Sequence, residues 1–254
     1  MSHIMRQPKR PTVIHKCLDL LLLFLERGGR LGVTEVVKIT GIPKSNVSRM
    51  LMALADKGFL RKEESGKYSL TYIYHSFSAL VSEQSTLVQR ARPMMQRLAD
   101  QFKETIHLNV IDNYERVCVS AIEPPQQLKA VVPIGQRSPL YAGASSKALL
   151  AFSDEDVLAR VLSKEMAAFT KNTITDANEL IAEIEKIRRI GYATSQGERI
   201  RGLTSFAIPV QSRYRKLVGS LAVSVPMARY FRTMEKEIVV RLKEESANLS
   251  KDLE

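Results

Sequence analysis

Gly41-Ile42-Pro43 is the feature that most limits what this chain can fold into. A glycine that closes one short run of apolar spacing, followed at once by a proline at a helix start, allows little except a tight turn between two helices. Beyond it, Lys44 to Lys57 runs without a breaker until Gly58, and the spacing predicts a helix. On a wheel of about 100° per residue, Val47, Met50, Leu51 and Leu54 share one face. Ser45, Ser48, Arg49 and Met52 occupy the opposite arc, with Lys44 and Asn46 on its flanks.

The flanking segments complete a unit. Val13 to Arg27 carries Val13, Cys17, Leu20, Leu21, Phe24 and Leu25 at positions predicted to face inward, and Gly28-Gly29 stops that helix. Thr34 stands where an N-cap belongs, before Glu35 and the apolar Val36, Val37 and Ile39. Downstream, Phe59 to Arg61 and Lys67 to Leu70 flank Glu63-Glu64-Ser65-Gly66, which predicts a small hairpin, or wing. Any solvated surface helix has a charged outer face. The short helix, glycine turn, proline start and basic hairpin together predict a winged helix-turn-helix, whose second helix lies in the DNA major groove. There Arg49 suits guanine, Asn46 adenine and Lys44 phosphate. The candidate DNA contacts are Thr34, Lys44, Ser45, Asn46, Ser48, Arg49, Arg61, Lys62 and Lys67.

Charge supports this placement. The chain carries a formal +11, and residues 1–75 hold 13 Lys and Arg against six Asp and Glu, while the other 179 hold 25 against 21. An excess confined to one segment is what phosphate neutralisation requires. At 254 residues two domains are expected, bounded at 11–74 and 87–254, with 75–86 a linker that forms part of a connecting helix. The longest strongly apolar run, Leu20 to Leu25, is too short to cross a bilayer, so a cytoplasmic protein with no membrane partner is expected. Cys17 and Cys118 fall in different domains without metal-ligand spacing and read as reduced thiols. Within Met1 to Met5, His3 is set aside from site reasoning.

The second part alternates differently. Leu87 to Phe102 has helical spacing with Pro93 inside it. Ile106 to Ile111 and Val117 to Ile122 predict paired strands. Helices follow at Lys147 to Phe152, Asp154 to Leu162 and Ala177 to Ile190, with Ser153 and Asp176 as caps. Strands return at Phe206 to Val210 and Leu217 to Val225 before a long helix from Phe231 to Leu253. Strands adjacent in sequence favour an antiparallel sheet flanked by helices, giving an α+β, two-domain chain.

Three blocks in this part suggest a ligand. Gly143-Ala144-Ser145-Ser146-Lys147 opens a helix with small residues, where N–H groups and the positive helix end favour a carboxylate. Tight packing explains the same residues. Gly191-Tyr192-Ala193 with Gly197-Glu198 and Gly202-Leu203 is a second, glycine-punctuated block. Gly219 to Pro226 is a strand with serines at alternating positions, whose hydroxyls need partners from a ligand or from neighbouring backbone.

The run from Thr34 through Gly41-Ile42-Pro43-Lys44-Ser45-Asn46-Val47-Ser48-Arg49-Met50-Leu51 to Lys67-Tyr68-Ser69-Leu70 resembles the winged helix of the IclR family. The three later blocks resemble that family's GAF-like effector domain, and the similarity spans Val13 to Asp252. The resemblance implies a ligand-responsive transcription regulator of a catabolic operon, acting as a repressor. It also implies a homodimer or dimer of dimers on double-stranded operator DNA, with an organic or sugar acid as effector and no other cofactor. By position it assigns the effector to Tyr141, Ala144, Ser145, Ser195, Ser205, Ala222 and Ser224. The sequence departs from the family at Ser146, where glycine is usual before the lysine, at Ser195, where some members have an acid, and at Ser205, where cysteine is common. Lys103 to Leu108 and Ser138 to Tyr141 are similar to the branch that senses 2-keto-3-deoxygluconate.

Two other readings compete with this one. An enzyme needs a nucleophile, a base and an orienting group. The sequence offers no Gly-x-Ser-x-Gly, no P-loop and no metal-spaced histidines; Ser145 with Lys147 is a chance pair, and His107 with Cys118 gives too few metal ligands. No catalytic residue or metal is therefore expected. A winged-helix regulator without ligand control would show no ligand-dependent stabilisation.

Overall fold

The computed structural model describes residues 12–253, which form two compact units divided between Gln84 and Ser85. His3, Arg6, Lys9 and Arg10 lie outside the described residues.

The first unit begins with α1 (Val13–Glu26), capped by Thr12, whose hydroxyl accepts from the His15 N–H. Leu20, Leu23 and Phe24 are its buried residues. Val13 and Leu25, expected inside, are exposed at 68% and 64%. The helix is apolar on more than one side, so its pattern does not single out the inward face. Helix α2 (Val33–Thr40) starts one residue before Thr34. Its N-cap is Gly32, whose N–H donates to Glu35 Oε2 at 2.6 Å, so Thr34 is an exposed first-turn residue and not a cap. Gly41 takes the left-handed conformation (φ +69°) that stops α2, and Pro43 precedes α3 (Lys44–Asp56).

Strands β2 (Leu60–Lys62) and β3 (Tyr68–Leu70) form the expected hairpin. A third strand that sequence did not predict, β1 (Arg30–Leu31), pairs antiparallel with β3. Leu20, Phe24, Val36, Val47, Leu51, Leu60 and Tyr68 make one core, each such large side chain contributing about 1.5–3 kcal/mol by leaving water. The segment read as a 75–86 linker is helical through Gln84 as α4 (Ile73–Gln84), and Phe59 stacks on its Phe77.

The second unit opens with α5 (Thr86–Phe102), capped by Ser85 and containing Pro93. Its sheet has six strands in the order β6-β5-β4-β9-β8-β7, every pair antiparallel. The strands are β4 (Thr105–Asp112), β5 (Glu115–Ile122), β6 (Arg137–Pro139), β7 (Ala193–Gln196), β8 (Leu203–Gln211) and β9 (Leu217–Pro226). The short β6 and β7 edge strands were not predicted.

Both faces of the sheet are covered, and the period of two divides them sharply. Ile106, Leu108, Phe206, Ile208, Leu221, Val223 and Val225 pack against α5 and against α9 (Arg232–Asp252). On the opposite face, Ala207 and Ala222 pack beneath α6 (Ala144–Phe152), with α7 (Glu155–Leu162) and α8 (Ala177–Ile190) outside it. Asp176 caps α8 as expected, whereas Asp154, and not Ser153, precedes α7. Small alanines and serines under α6 cannot fill that layer as the leucines and valines fill the other. Register makes a polar row across this face: Ser195 opposite Ser205, Ser205 opposite Ser224, and Ser224 opposite Thr105.

Candidate nucleic-acid interface and ligand pocket

In the first unit α3 is anchored by Val47, Met50 and Leu51, all buried, with Leu54 half-buried beside them. Its other side presents Lys44, Ser45 and Arg49 to solvent, with Asn46 and Ser48 half-exposed. Arg49 Nη2 donates to Asn46 Oδ1 at 2.7 Å, one turn along the exposed face. That contact pre-positions both planar polar groups at the end of the helix that a groove would receive.

The wing's basic residues divide. Arg61 and Lys62 are exposed, and Arg61 Nε donates to Ser69 Oγ at 3.1 Å. Lys67 instead ties the wing to α2 through Glu35, 3.2 Å away. The Gly32 N–H and Lys67 hold the Glu35 carboxyl below the usual range, so this tether carries charge at neutral pH.

In the second unit the polar row and the start of α6 enclose a cavity of about 70 Å³. Gly143, the N-cap of α6, sits at φ +94° and ψ 151°, a region open essentially to glycine alone. Its N–H donates to Glu198 Oε2 at 3.0 Å. Glu198 Oε1 accepts from Lys147 Nζ at 2.7 Å, and Glu183 Oε1 accepts a second hydrogen bond from it at 2.9 Å. Lys147 is 1% exposed, so this buried cation fixes the helix start to the Gly197–Arg199 turn. The N–H groups of Ala144, Ser145 and Ser146 are those a helix leaves without intrahelical partners, and these residues line the cavity.

Opposite them are two guanidiniums. Arg116 is 4% exposed and donates to Asn109 Oδ1 at 2.7 Å and to Ser138 Oγ. Arg199 also donates to Ser138 Oγ. Among the described residues neither has a carboxylate within ion-pair distance. Burial and the Arg199 charge pull Arg116 down to about 10, and burial lowers Arg199 as well. Arg116 is thus a buried cation without a counter-ion among the described residues, an unfavourable arrangement, and Arg199 beside it is half-buried.

His107 joins the floor, Nε2 lying 3.0 Å from Ser224 Oγ. Burial and then Arg116 push its pKa to about 3, so the ring is neutral. Both ring nitrogens are engaged, by Ser224 and Asn109, while Cys118 Sγ points at the Ser120 carbonyl oxygen, 3.5 Å away.

Of the predicted effector residues, Ala144, Ser145, Ser195, Ser205 and Ser224 line this cavity together. Tyr141 and Ala222 do not. Tyr141 turns away, its hydroxyl donating to the Ala167 carbonyl at 2.9 Å and its ring stacking on Phe169. Ala222 lies on the same sheet face but is covered in the apolar layer. Arg116, Arg199, Glu198 and His107 were not among the predicted pocket residues. Glu198 stood out only within a glycine-punctuated block, and His107 only as an unsupported metal ligand.

Comparison with known proteins then decides the family. The model of the IclR C-terminal domain of bacterial transcriptional regulators matches residues 79–251, and that of the IclR helix-turn-helix domain matches residues 13–64. The chain belongs to the IclR family of transcription regulators. Among its relatives, the HTH-type transcriptional regulator KipR of Bacillus subtilis is 31% identical over 248 residues, 97% of this chain and 98% of KipR. The regulator KdgR of Escherichia coli is 31% identical over 239 residues, 93% of this chain and 90% of KdgR. The crystal structure of an IclR-family regulator from Alicyclobacillus acidocaldarius has a TM-score of 0.83 at 25% identity, covering 94% of this chain and 97% of that one. This IclR-family member thus joins a helix-turn-helix DNA-binding domain to a C-terminal ligand-binding domain, and its relatives are named as regulators and not as enzymes.

Proposed function

We propose that the C-terminal unit of this regulator binds a carboxylic acid in the α6 cavity, and that occupancy changes the affinity of the N-terminal unit for operator DNA. The observation that carries this is the pair of guanidiniums, buried Arg116 and half-buried Arg199, which line one cavity with the start of α6 and have no carboxylate within ion-pair distance among the described residues. A carboxylate satisfies both sides, since charge-assisted hydrogen bonds to arginine and to helix N-termini are the strong ones.

The cavity, about 70 Å³, has room for a small group such as a carboxylate and the adjacent carbon with its oxygen. Val131 and Ile200, exposed at 54% and 45%, line its rim, where a longer chain such as that of a sugar acid would pass outward. Coupling follows from linkage: an acid that binds one operator-affinity state more tightly shifts the population toward it. Repression of a catabolic operon in the cytoplasm is the reading taken from the family resemblance.

A homodimer is the reading favoured by α1. Ile14, Leu18, Leu21 and Leu25 recur at i, i+4, i+7 and i+11, and Ile14, Leu18 and Leu25 are exposed at 71%, 53% and 64%. A leucine-rich stripe with that spacing suits pairing with a second helix.

The test is thermal stabilisation by short carboxylic acids, each compared with its uncharged amide. Saturable stabilisation by acids alone is expected. Equal stabilisation by the amides would remove the arginine pair from the account.

A further inference from the structure

Arg116, Asn109, His107, Ser224 and Ser205 form an unbroken line of hydrogen bonds beneath the cavity, and the chemistry of its first member orders the rest. A guanidinium has only donors, so the atom of Asn109 that meets Arg116 Nη1 at 2.7 Å is the carbonyl oxygen. The Asn109 amide nitrogen then faces the His107 and Ser220 carbonyls, each 3.4 Å away, and His107 Nδ1 at 3.0 Å. Nδ1 is also 3.2 Å from Asn109 Oδ1, but a proton on it would confront the closer amide hydrogens, donor against donor. Nδ1 therefore carries the lone pair.

The ring is fully buried and neutral, so its one proton sits on Nε2 and is donated to Ser224 Oγ at 3.0 Å. Ser224, accepting from Nε2, has Ser205 Oγ at 2.8 Å as the acceptor for its own proton among the described residues, which orders this pair from Ser224 to Ser205. Ser205 has no other hydrogen-bond partner among the described residues and lines the cavity, so its proton points inward.

We propose that His107 is a positioning residue that transmits the donor direction set by Arg116 and Asn109 to Ser205, whose hydroxyl then selects effectors bearing an acceptor oxygen next to the carboxylate. This selection rests on the carboxylate reading of the cavity, whereas the proton order does not. A ligand lacking that oxygen sets carbon against the Ser205 donor and leaves it without the acceptor it faces.

The first measurement is the tautomer of His107 in the full chain with ¹⁵N-labelled histidine at neutral pH and no ligand. The chain has four histidines, and His107→Gln identifies the resonance by its loss. A bare Nδ1 and a protonated Nε2 are expected. A protonated Nδ1 or an imidazolium overturns the proton order.

The second is calorimetry with pyruvate and with propionate, monoanions of the same carbon skeleton. Pyruvate should bind about tenfold or more tightly than propionate, and Ser205→Ala and His107→Leu should each bring the ratio close to one. A ratio unchanged in Ser205→Ala overturns the selection. The predicted tautomer with binding of neither acid contradicts the carboxylate reading and leaves the proton order standing.

Discussion

Arg116 and Arg199 donate to the same hydroxyl, that of Ser138, from two different segments of the C-terminal unit. Two like charges are thus held together by one neutral atom, an arrangement that is unfavourable when empty and favourable when an anion bridges it. Arg199→Gln should therefore leave the melting temperature of the free protein unchanged or raise it. The same change should weaken acid binding by about 1.5–3 kcal/mol, the usual range for a hydrogen bond to a charged group. Calorimetry and thermal melts on the same preparation check both halves, and a large drop in melting temperature would mean that Arg199 is simply structural.

Lys147 should matter to folding more than to recognition. Replacing it with methionine leaves Glu183 and Glu198 without their shared cation, and removing one partner of a buried ion pair costs about 3–5 kcal/mol. Burial pushes the Glu183 carboxyl up, but the Lys147 hydrogen bond and charge, with Lys186, outweigh it and hold it below 4.5. Its stabilisation is thus fully present above the unfolded value near 4.5 and disappears as pH falls through the folded value. Urea titrations from pH 7 to 3 should show a shallower acid loss in Lys147→Met than in the wild type.

The α1 stripe predicts an assembly effect without a folding effect. Leu18→Glu with Leu25→Glu alters two exposed positions, while Leu20, Leu23 and Phe24 keep the core. Light scattering should report a smaller particle, and the stability of the isolated fold should change by about 0.5 kcal/mol or less per site. An unchanged mass would remove α1 from the interface.

On α3, Arg49→Ala should weaken operator binding by about 1–3 kcal/mol and relax selectivity at one base position. Lys44→Ala should weaken all DNA alike and flatten the salt dependence. Competition assays with single-base operator variants separate the two, and full affinity and selectivity in Arg49→Ala would reassign the recognition surface.

How much of this was legible depended on which signals are local. Gly41, Pro43 and the stripe of Val47, Leu51 and Leu54 identify α3 because a turn and a helix face are written within a few residues. Thr34 misled because Glu35 reaches back to Gly32 and makes the glycine the cap. In α1, apolar residues on two sides left the inward face undetermined. Ser224 was legible as a polar position in a core strand and Ser145 as part of a small-residue helix start, whereas Ser195 and Ser205 followed only from the family resemblance. Arg116 was not legible, because Val117 and Val119 advertise the inward face of β5, yet they are only half-buried, while Arg116, Cys118 and Ser120 are buried on the other face. Only a sheet covered on both sides reveals that, and that is a property of long-range packing. Edge strands β1, β6 and β7, of two to four residues, are set by their partners more than by their own propensity.

Anisotropy of labelled operator DNA, titrated with wild type and Arg199→Gln in the presence and absence of the acid that stabilises the wild type, tests the central claim most directly. The account predicts that both proteins bind operator equally well alone, and that acid at the concentration that just saturates the wild type changes the wild-type affinity by about 5–150-fold while changing that of Arg199→Gln far less. An equal response of the two proteins to acid would contradict it.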